Sequence, residues 1–364
     1  MSDIKKTSIK STAPIRICDN GGWTDTWFSG YGEIFNIAVS PFAEVQIEVQ
    51  SAVNVKDRIV IHAENFGDYY VFDPCTNSAD KGWVKHPLLE ASIKSMDLPE
   101  ELAYEITITS QAPSGASTGT SAAVAVALIG ALDACTPGRM TPKETAIAAH
   151  KVETELLRQQ CGIQDQICSA YGGINYIIMS NFPDAEVIPI QLSNRILSEL
   201  ELRLALIYLG SSHSSTSIHD AVIHRLESAG FDNPQLDALR KTAARSRDAL
   251  LAGDFIELGK VMIDNNDAQG ALHPDLICGN AQRIIDIAKA FNAAGWKVNG
   301  AGGDGGSLTL LCSENSKEKA EMIKAIEQVN SKFENIPIKI APHGLQVWIN
   351  DQPSPFKSSS SIQN

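Results

Sequence analysis

No stretch of the 364 residues approaches the roughly 18 consecutive apolar residues of a membrane-spanning helix, so no membrane partner is expected. The opening segment, MSDIKKTSIKST, lacks the apolar core of a secretory signal. The seven cysteines (Cys18, Cys75, Cys135, Cys161, Cys168, Cys278, Cys312) are odd in number, scattered and without a CxxC pair. That spacing excludes a disulfide framework and points to a reduced, cytoplasmic protein. Basic residues are too few for a nucleic-acid groove: 30 Lys and Arg stand against 43 Asp and Glu, a formal charge of −13. The deficit does not exclude a nucleotide, which a few backbone N–H groups and one metal ion can hold. No internal repeat is present. What remains, 43% hydrophobic and 20% charged residues, is an ordinary globular composition, with length enough for two domains.

The first third reads mostly as strands, near 13–18, 33–39, 43–50, 58–63, 69–72 and 104–109. Phe42 to Val49 alternates, which predicts one wet face. A short helix is expected over 87–96. The stretch AAVAVALIGALDAC, apolar on all sides, predicts a buried helix with close neighbours. Thr141, Pro142 and Glu144 open another helix, expected over 142–160 and carrying Glu153. Strands follow at 173–179, 186–191 and 202–209, then mainly helix over 217–293. A glycine-rich turn at 300–306 lies between short strands, and a helix near 316–329 precedes strands at 337–341 and 344–349. The spacing predicts domains over 1–200 and 201–352 and a disordered tail over 353–364, from the polar run DQPSPFKSSSSIQN.

Three segments carry candidate chemistry. Pro113, Gly115, Ala116, Ser117, Thr118, Gly119, Thr120 and Ser121 place glycines and small hydroxyls just before a helix N-terminus. There, unpaired N–H groups and the helix dipole favour an anion. The lysine of a Walker A loop is missing. A Ser/Thr-rich helix cap would read the same way. Arg16 and Asp25 flank the polar turn Asp19-Asn20-Gly21-Gly22-Trp23-Thr24, where Asp25 can accept bonds from hydroxyls or simply be solvated. Asp165, between Gln164 and Gln166, is placed to deprotonate a hydroxyl, and Glu153 to complete a hard-cation shell with Ser121. A surface glutamate and a capping aspartate would look alike. Asn299 to Gly306 holds five glycines in eight residues, more than one turn needs.

Taken together and in this order, the segments resemble the GHMP kinases. Ala13-Pro14-x-Arg16 with Thr24-Asp25 resembles the galactokinase-type opening, Pro113-x-Gly115 through Ala123 the phosphate loop, and Gly300 to Gly306 the C-terminal glycine motif. Gly21-Gly22-Trp23-Thr24-Asp25-Thr26 is similar to the opening of fucokinases. Gln164-Asp165-Gln166 with Tyr171-Gly172-Gly173-Ile174-Asn175 is similar to fucokinases and heptose-7-phosphate kinases. The resemblance implies a two-domain α+β fold, with an N-terminal ribosomal-protein-S5-like domain and a C-terminal ferredoxin-like domain. It implies an ATP-dependent, Mg²⁺-assisted kinase acting on a sugar, typically at the anomeric hydroxyl, as a monomer or homodimer.

By the same resemblance Asp165 is the catalytic carboxylate and Arg16 its basic neighbour. Ser121 and Glu153 are metal ligands, and Pro113 with residues 115–121 holds the phosphates. Asp25, Trp23, Thr24, Gly173, Gly302 and Gly303 bind the sugar. Four positions depart from the pattern: Ser117 stands where a glycine is usual, Asp304 interrupts the glycine run, and Asp19-Asn20 replace small residues. His213 and His219 could sit at the sugar end of the site or cap a helix. Other readings are a heptose-7-phosphate 1-kinase, a kinase for a non-sugar alcohol, an ATP-dependent decarboxylase of this fold, and a nucleotide-binding protein without catalysis.

Overall fold

The computed structural model describes residues 6–78, 80–136, 139–210 and 216–354. In chain order the elements are β1 (Thr7–Asn20), β2 (Gly32–Ser51), β3 (Ile59–Ala63), β4 (Asp68–Val71), α1 (Pro87–Lys94), β5 (Leu102–Ser110), α2 (Thr120–Asp133), α3 (Pro142–Lys151), α4 (Gln164–Tyr171), β6 (Ile174–Asn181), β7 (Asp184–Pro189) and α5 (Asn194–Arg203). They continue as β8 (Leu204–Tyr208), α6 (Thr216–Ala229), α7 (Pro234–Ala252), α8 (Phe255–Leu272), α9 (Gly279–Ala290), β9 (Gly295–Val298), β10 (Ser307–Leu311), α10 (Ser316–Val329), β11 (Glu334–Ile336), β12 (Gln346–Ile349) and β13 (Gln352–Pro353).

The two strands expected at 33–39 and 43–50 are one long strand, β2. Its first half pairs with β6 and its second with β5, while β1 runs antiparallel along most of it. The first sheet therefore forks at β2, in the order β13-β12-β1-β2-β5-β3-β4 with β6 and β7 on the branch. The wet face predicted for Phe42–Val49 is present: Val45 and Ile47 are buried while Glu44 and Gln46 are exposed. Helix α2 lies across β1 and β2 and is flanked by α1, α3 and α4. Ala122, Val126, Leu128 and Ile129 are all buried, as an all-round apolar helix requires.

The second sheet is β11-β8-β10-β9, antiparallel throughout, and carries its own core around Ile207, Ile284, Leu310 and Ile326. Asn299, fully buried, stitches the halves: its Oδ1 accepts from the Cys18 N–H and from Thr309 Oγ1.

Three expectations fail. Residues 337–341 form no strand, only a single bridge between Val39 and Ile340. The division at 201–352 is crossed, because β12 leaves the second half and pairs with β1 (Ile9 with Ile349) in the first sheet. The long β1 would otherwise present an unpaired edge there. The start of the tail is ordered: β13 folds onto β12, and buried Ser354 receives a bond from Arg139. Residues 355–364 and His213 lie outside the described residues.

Candidate active site

The loop before α2 alternates in hand. Gly115, Ser117 and Gly119 hold φ of +73°, +55° and +69°, and the residues between them do not. Such alternation turns successive N–H groups into one concavity, a shape suited to phosphate oxygens. Helix α2 opens with no side-chain cap, so its first-turn N–H groups remain available. Ser117 occupies the left-handed region without being glycine. Its carbonyl accepts from Arg16 Nη1 at 2.6 Å, which helps hold that conformation.

Arg16 leaves β1 buried and grips Asp165 with two bonds, Nε to Oδ1 at 2.7 Å and Nη2 to Oδ2 at 3.1 Å. Its own N–H donates to the Thr118 carbonyl at 2.9 Å, so strand, loop and clamp are one unit. Burial lowers the guanidinium pKa, but the charges of Asp165 and Asp19 outweigh it and raise it above its ordinary value. Asp165 sits in the first turn of α4. A Cβ on Gly119 would lie 3.1 Å from its carboxyl group. Glycine there serves both the positive φ and the approach of the carboxylate to the loop.

A cavity of about 240 Å³ opens beside this clamp. One wall is polar: Asp19, Asp25, Glu153 and Asp165 with Gln160, Gln164 and Gln166. Asp25 accepts from the Gln164 N–H at 3.0 Å, and burial pushes its carboxyl up to about 6. Glu153 does not continue α3 as an ordinary helix. It sits in a π-turn, Val152–Leu156, of the kind often found at functional sites. The turn buries Glu153, whose Oε1 accepts from Gln166 Nε2 at 2.7 Å. Burial, with the charge of Asp165 adding, pushes it up to about 7. The other wall is apolar: Trp23, Trp27, Phe28 and Ile223. Trp27 Nε1 donates to Glu227 of α6 at 2.7 Å, which ties the loop after β1 to that helix.

Behind the cavity lies a fully buried ion pair, Asp19 with Lys297 Nζ at 3.2 Å. Asp19 also accepts from the Gly300 N–H at 3.1 Å, and Lys297 donates to Gln269 and to the Val298 carbonyl. Burial lowers the Lys297 pKa, and Asp19 opposes that shift.

Sequence comparison supplies the context. The profile of the GHMP kinases N terminal domain matches residues 88–173. A mevalonate kinase of Thermococcus sibiricus is 32% identical over 248 residues, covering 66% of this chain and 68% of that protein. The chain belongs to the GHMP kinase family. A bifunctional fucokinase/GDP-fucose pyrophosphorylase of Arabidopsis thaliana is 26% identical over 349 residues, which is 91% of this GHMP kinase but 32% of that longer protein. The crystal structure of a D-glycero-D-manno-heptose 1-phosphate kinase from Bacteriodes thetaiotaomicron shares the fold. Its TM-score is 0.71 at 21% identity, over 93% of this chain and 98% of that one. Among the described residues, no helix of this GHMP kinase is long and apolar enough to cross a membrane.

Of the candidates named from sequence, Arg16, Trp23, Asp25, Ser121, Glu153 and Asp165 meet at one cavity. Pro113 through Thr120 do not line it, although Gly119 touches Asp165. Thr24 is buried in its own turn, its hydroxyl bonded to the Gly21 carbonyl at 2.7 Å. Gly173 is held by backbone bonds to Ala341 and Ala38, away from the cavity. Gly302 and Gly303 brace the loop from behind, on His219 and Leu276, while Gly300 and Ala301 line the cavity instead. Asp304 is exposed. His219 lines the cavity edge-on to Trp23, with ring centroids 5.8 Å apart. Sequence reasoning missed Trp27 and Phe28, although both adjoin Asp25, and it missed Lys297, whose place in a short strand carries no signal. Asp19 registered only as a departure from small residues.

Proposed function

We propose that the chain transfers the γ-phosphate of ATP to a hydroxyl of a small sugar, most simply the anomeric one. The observation that carries this reading is the Asp165 carboxylate, clamped by Arg16, lying directly against Gly119 of the loop before α2. A base is thereby held where phosphate and acceptor hydroxyl would meet. The loop N–H groups receive the β- and γ-phosphates. Asp165 orients the sugar hydroxyl and takes its proton as the new O–P bond forms and the bond to the departing ADP oxygen breaks. An anomeric hydroxyl is more acidic than an ordinary alcohol, so a carboxylate of modest basicity suffices. Asp25 accepts bonds from other hydroxyls.

Ser121 and Glu153 suit a divalent cation, which would neutralise charge growing on the phosphate oxygens. The donor set is hard oxygen, and the buried Gln166 Oε1 beside Glu153 has no hydrogen-bond partner. Among the described residues, no group of three His, Cys, Asp or Glu side chains forms a metal site. Nucleotide and water would complete the shell, as is usual for Mg²⁺.

Substituting Asp165→Asn should lower kcat by at least ~10²-fold in an ADP-release assay with sugars. A folded variant turning over at the normal rate would remove Asp165 from the chemistry.

A further inference from the structure

We infer that Lys297 is a positioning residue for the phosphoryl transfer: by holding Asp19, it leaves Arg16 to clamp Asp165. This rests on the proposed kinase reading and deepens it. Arg16, Lys297, Asp19 and Asp165 meet beside the cavity, two charges of each sign. Arg16 lies between the two carboxylates. It grips Asp165 through Nε and Nη2, while its Nη1 stands 3.9 Å from Asp19 Oδ1. The carboxylates do not compete equally for it. The side chain of Asp19 is 1% exposed and that of Asp165 27%. Water solvates Asp165 in part and Asp19 hardly at all, so an unbalanced Asp19 exerts the stronger pull on a cation. Lys297 meets that pull from 3.2 Å.

The surroundings of the lysine fit this task. It belongs to β9 of the second sheet and does not line the cavity, so it acts through Asp19 rather than on a substrate. Its Nζ also donates to Gln269 Oε1 at 3.1 Å and to the Val298 carbonyl at 2.7 Å, which fixes where the ammonium points. Asp19 is fixed as well, because both of its oxygens accept from the Gly300 N–H, at 3.2 and 3.1 Å. Without the ammonium, Arg16 balances Asp19 by turning Nη1 toward it. That turn gives up the bond to the Ser117 carbonyl and skews the two bonds to Asp165. The base and the loop before α2 then lose one brace together, and small misplacements of a reacting group are costly.

The test is ADP release with the best acceptor from a panel of aldohexoses, 6-deoxyhexoses and heptoses. Wild-type protein is compared with Lys297→Met, with Lys297→Gln, which keeps a donor for Asp19 and removes the charge, and with the double variant Lys297→Met, Asp19→Asn. All are assayed at a temperature where urea denaturation shows each protein fully folded, so recovered stability cannot imitate recovered turnover. In both lysine variants kcat should fall at least ~10-fold, the cost of a displaced base, with KM for the sugar within about threefold of wild type. The double variant should turn over at least ~5-fold faster than Lys297→Met, because the carboxylate that competes for Arg16 has lost its charge. Wild-type kcat in both lysine variants, or a double variant no faster than Lys297→Met, overturns the inference and leaves the kinase reading intact. If neither lysine variant folds, the double variant is compared with wild type: kcat within about tenfold upholds the inference, and a greater loss overturns it. A wild-type protein without sugar-dependent ADP release overturns the proposed function, and this inference with it.

Discussion

Asp25 carries a raised carboxyl pKa because it is buried, despite the bond from Gln164. The folded state keeps a proton up to about pH 6, whereas the unfolded chain releases it near the ordinary value of 3.8. Between these limits the folded state binds more protons, so stability falls as pH rises, and the full penalty remains above 6. Asp25→Asn keeps an oxygen for the Gln164 N–H and removes the titration. Its stability relative to wild type should climb across that window by on the order of 2–3 kcal/mol, measured by urea denaturation at a series of pH values. A pH-independent difference would show that Asp25 is not held protonated. Gly119→Ala forces a Cβ onto Asp165 at a positive φ. It should lose about 1–2 kcal/mol of stability from the left-handed backbone, and kcat should fall tenfold or more as the carboxylate is displaced. At this scale the sequence named residue types well and conformations poorly. Arg16 and Asp165 could be paired only through resemblance. Ser117 was marked only as standing where a glycine is usual; that it holds a φ of +55° was not legible, since the Arg16 bond to its carbonyl that helps hold the angle is a contact distant in sequence.

Elements with one dominant signal were legible. The apolar run of α2 and the cap of α3, where Thr141 and Glu144 form a reciprocal box, fall where residue pattern alone puts them. The π-turn after α3 did not, since Val152–Leu156 continues the helical period while its hydrogen bonds widen to bring Glu153 inward. The pairing of β1 with β9 through Asp19 and Lys297 was equally invisible: nothing in either strand's pattern says that both charges are buried and meet. Removing Lys297 leaves the buried Asp19 with the more distant Arg16, at 3.9 Å, and the Gly300 N–H. Lys297→Met should therefore destabilise the fold by about 3–5 kcal/mol, and the double variant with Asp19→Asn should recover part of that loss. Chemical denaturation of the two single variants and the double variant measures the coupling. Strict additivity would mean the pair contributes nothing jointly.

For the whole molecule, the two halves are joined by more than the covalent chain. Asn299 bonds Cys18 across them, Trp27 reaches Glu227, and β12 completes the first sheet. The mixed α+β class was legible from the alternation of strand and helix patterns; the return of β12 to the first sheet was not, because a four-residue strand does not state its partner. Deleting residues 346–354 should expose the β1 edge. The truncated protein is expected to unfold at a lower denaturant midpoint and to self-associate, as read by light scattering. An unchanged midpoint with no scattering would show that β12 is dispensable.

The same strand order bears on synthesis. Ile9 leaves the ribosome long before its neighbour Ile349, with every strand from β2 to β11 made in between. The first sheet cannot close until β12 has been made. Until then a nascent chain must keep the margin of β1 from pairing with other polypeptides. Slow elongation ahead of β12, or a stop just before it, would therefore cause more aggregation than the few missing residues suggest.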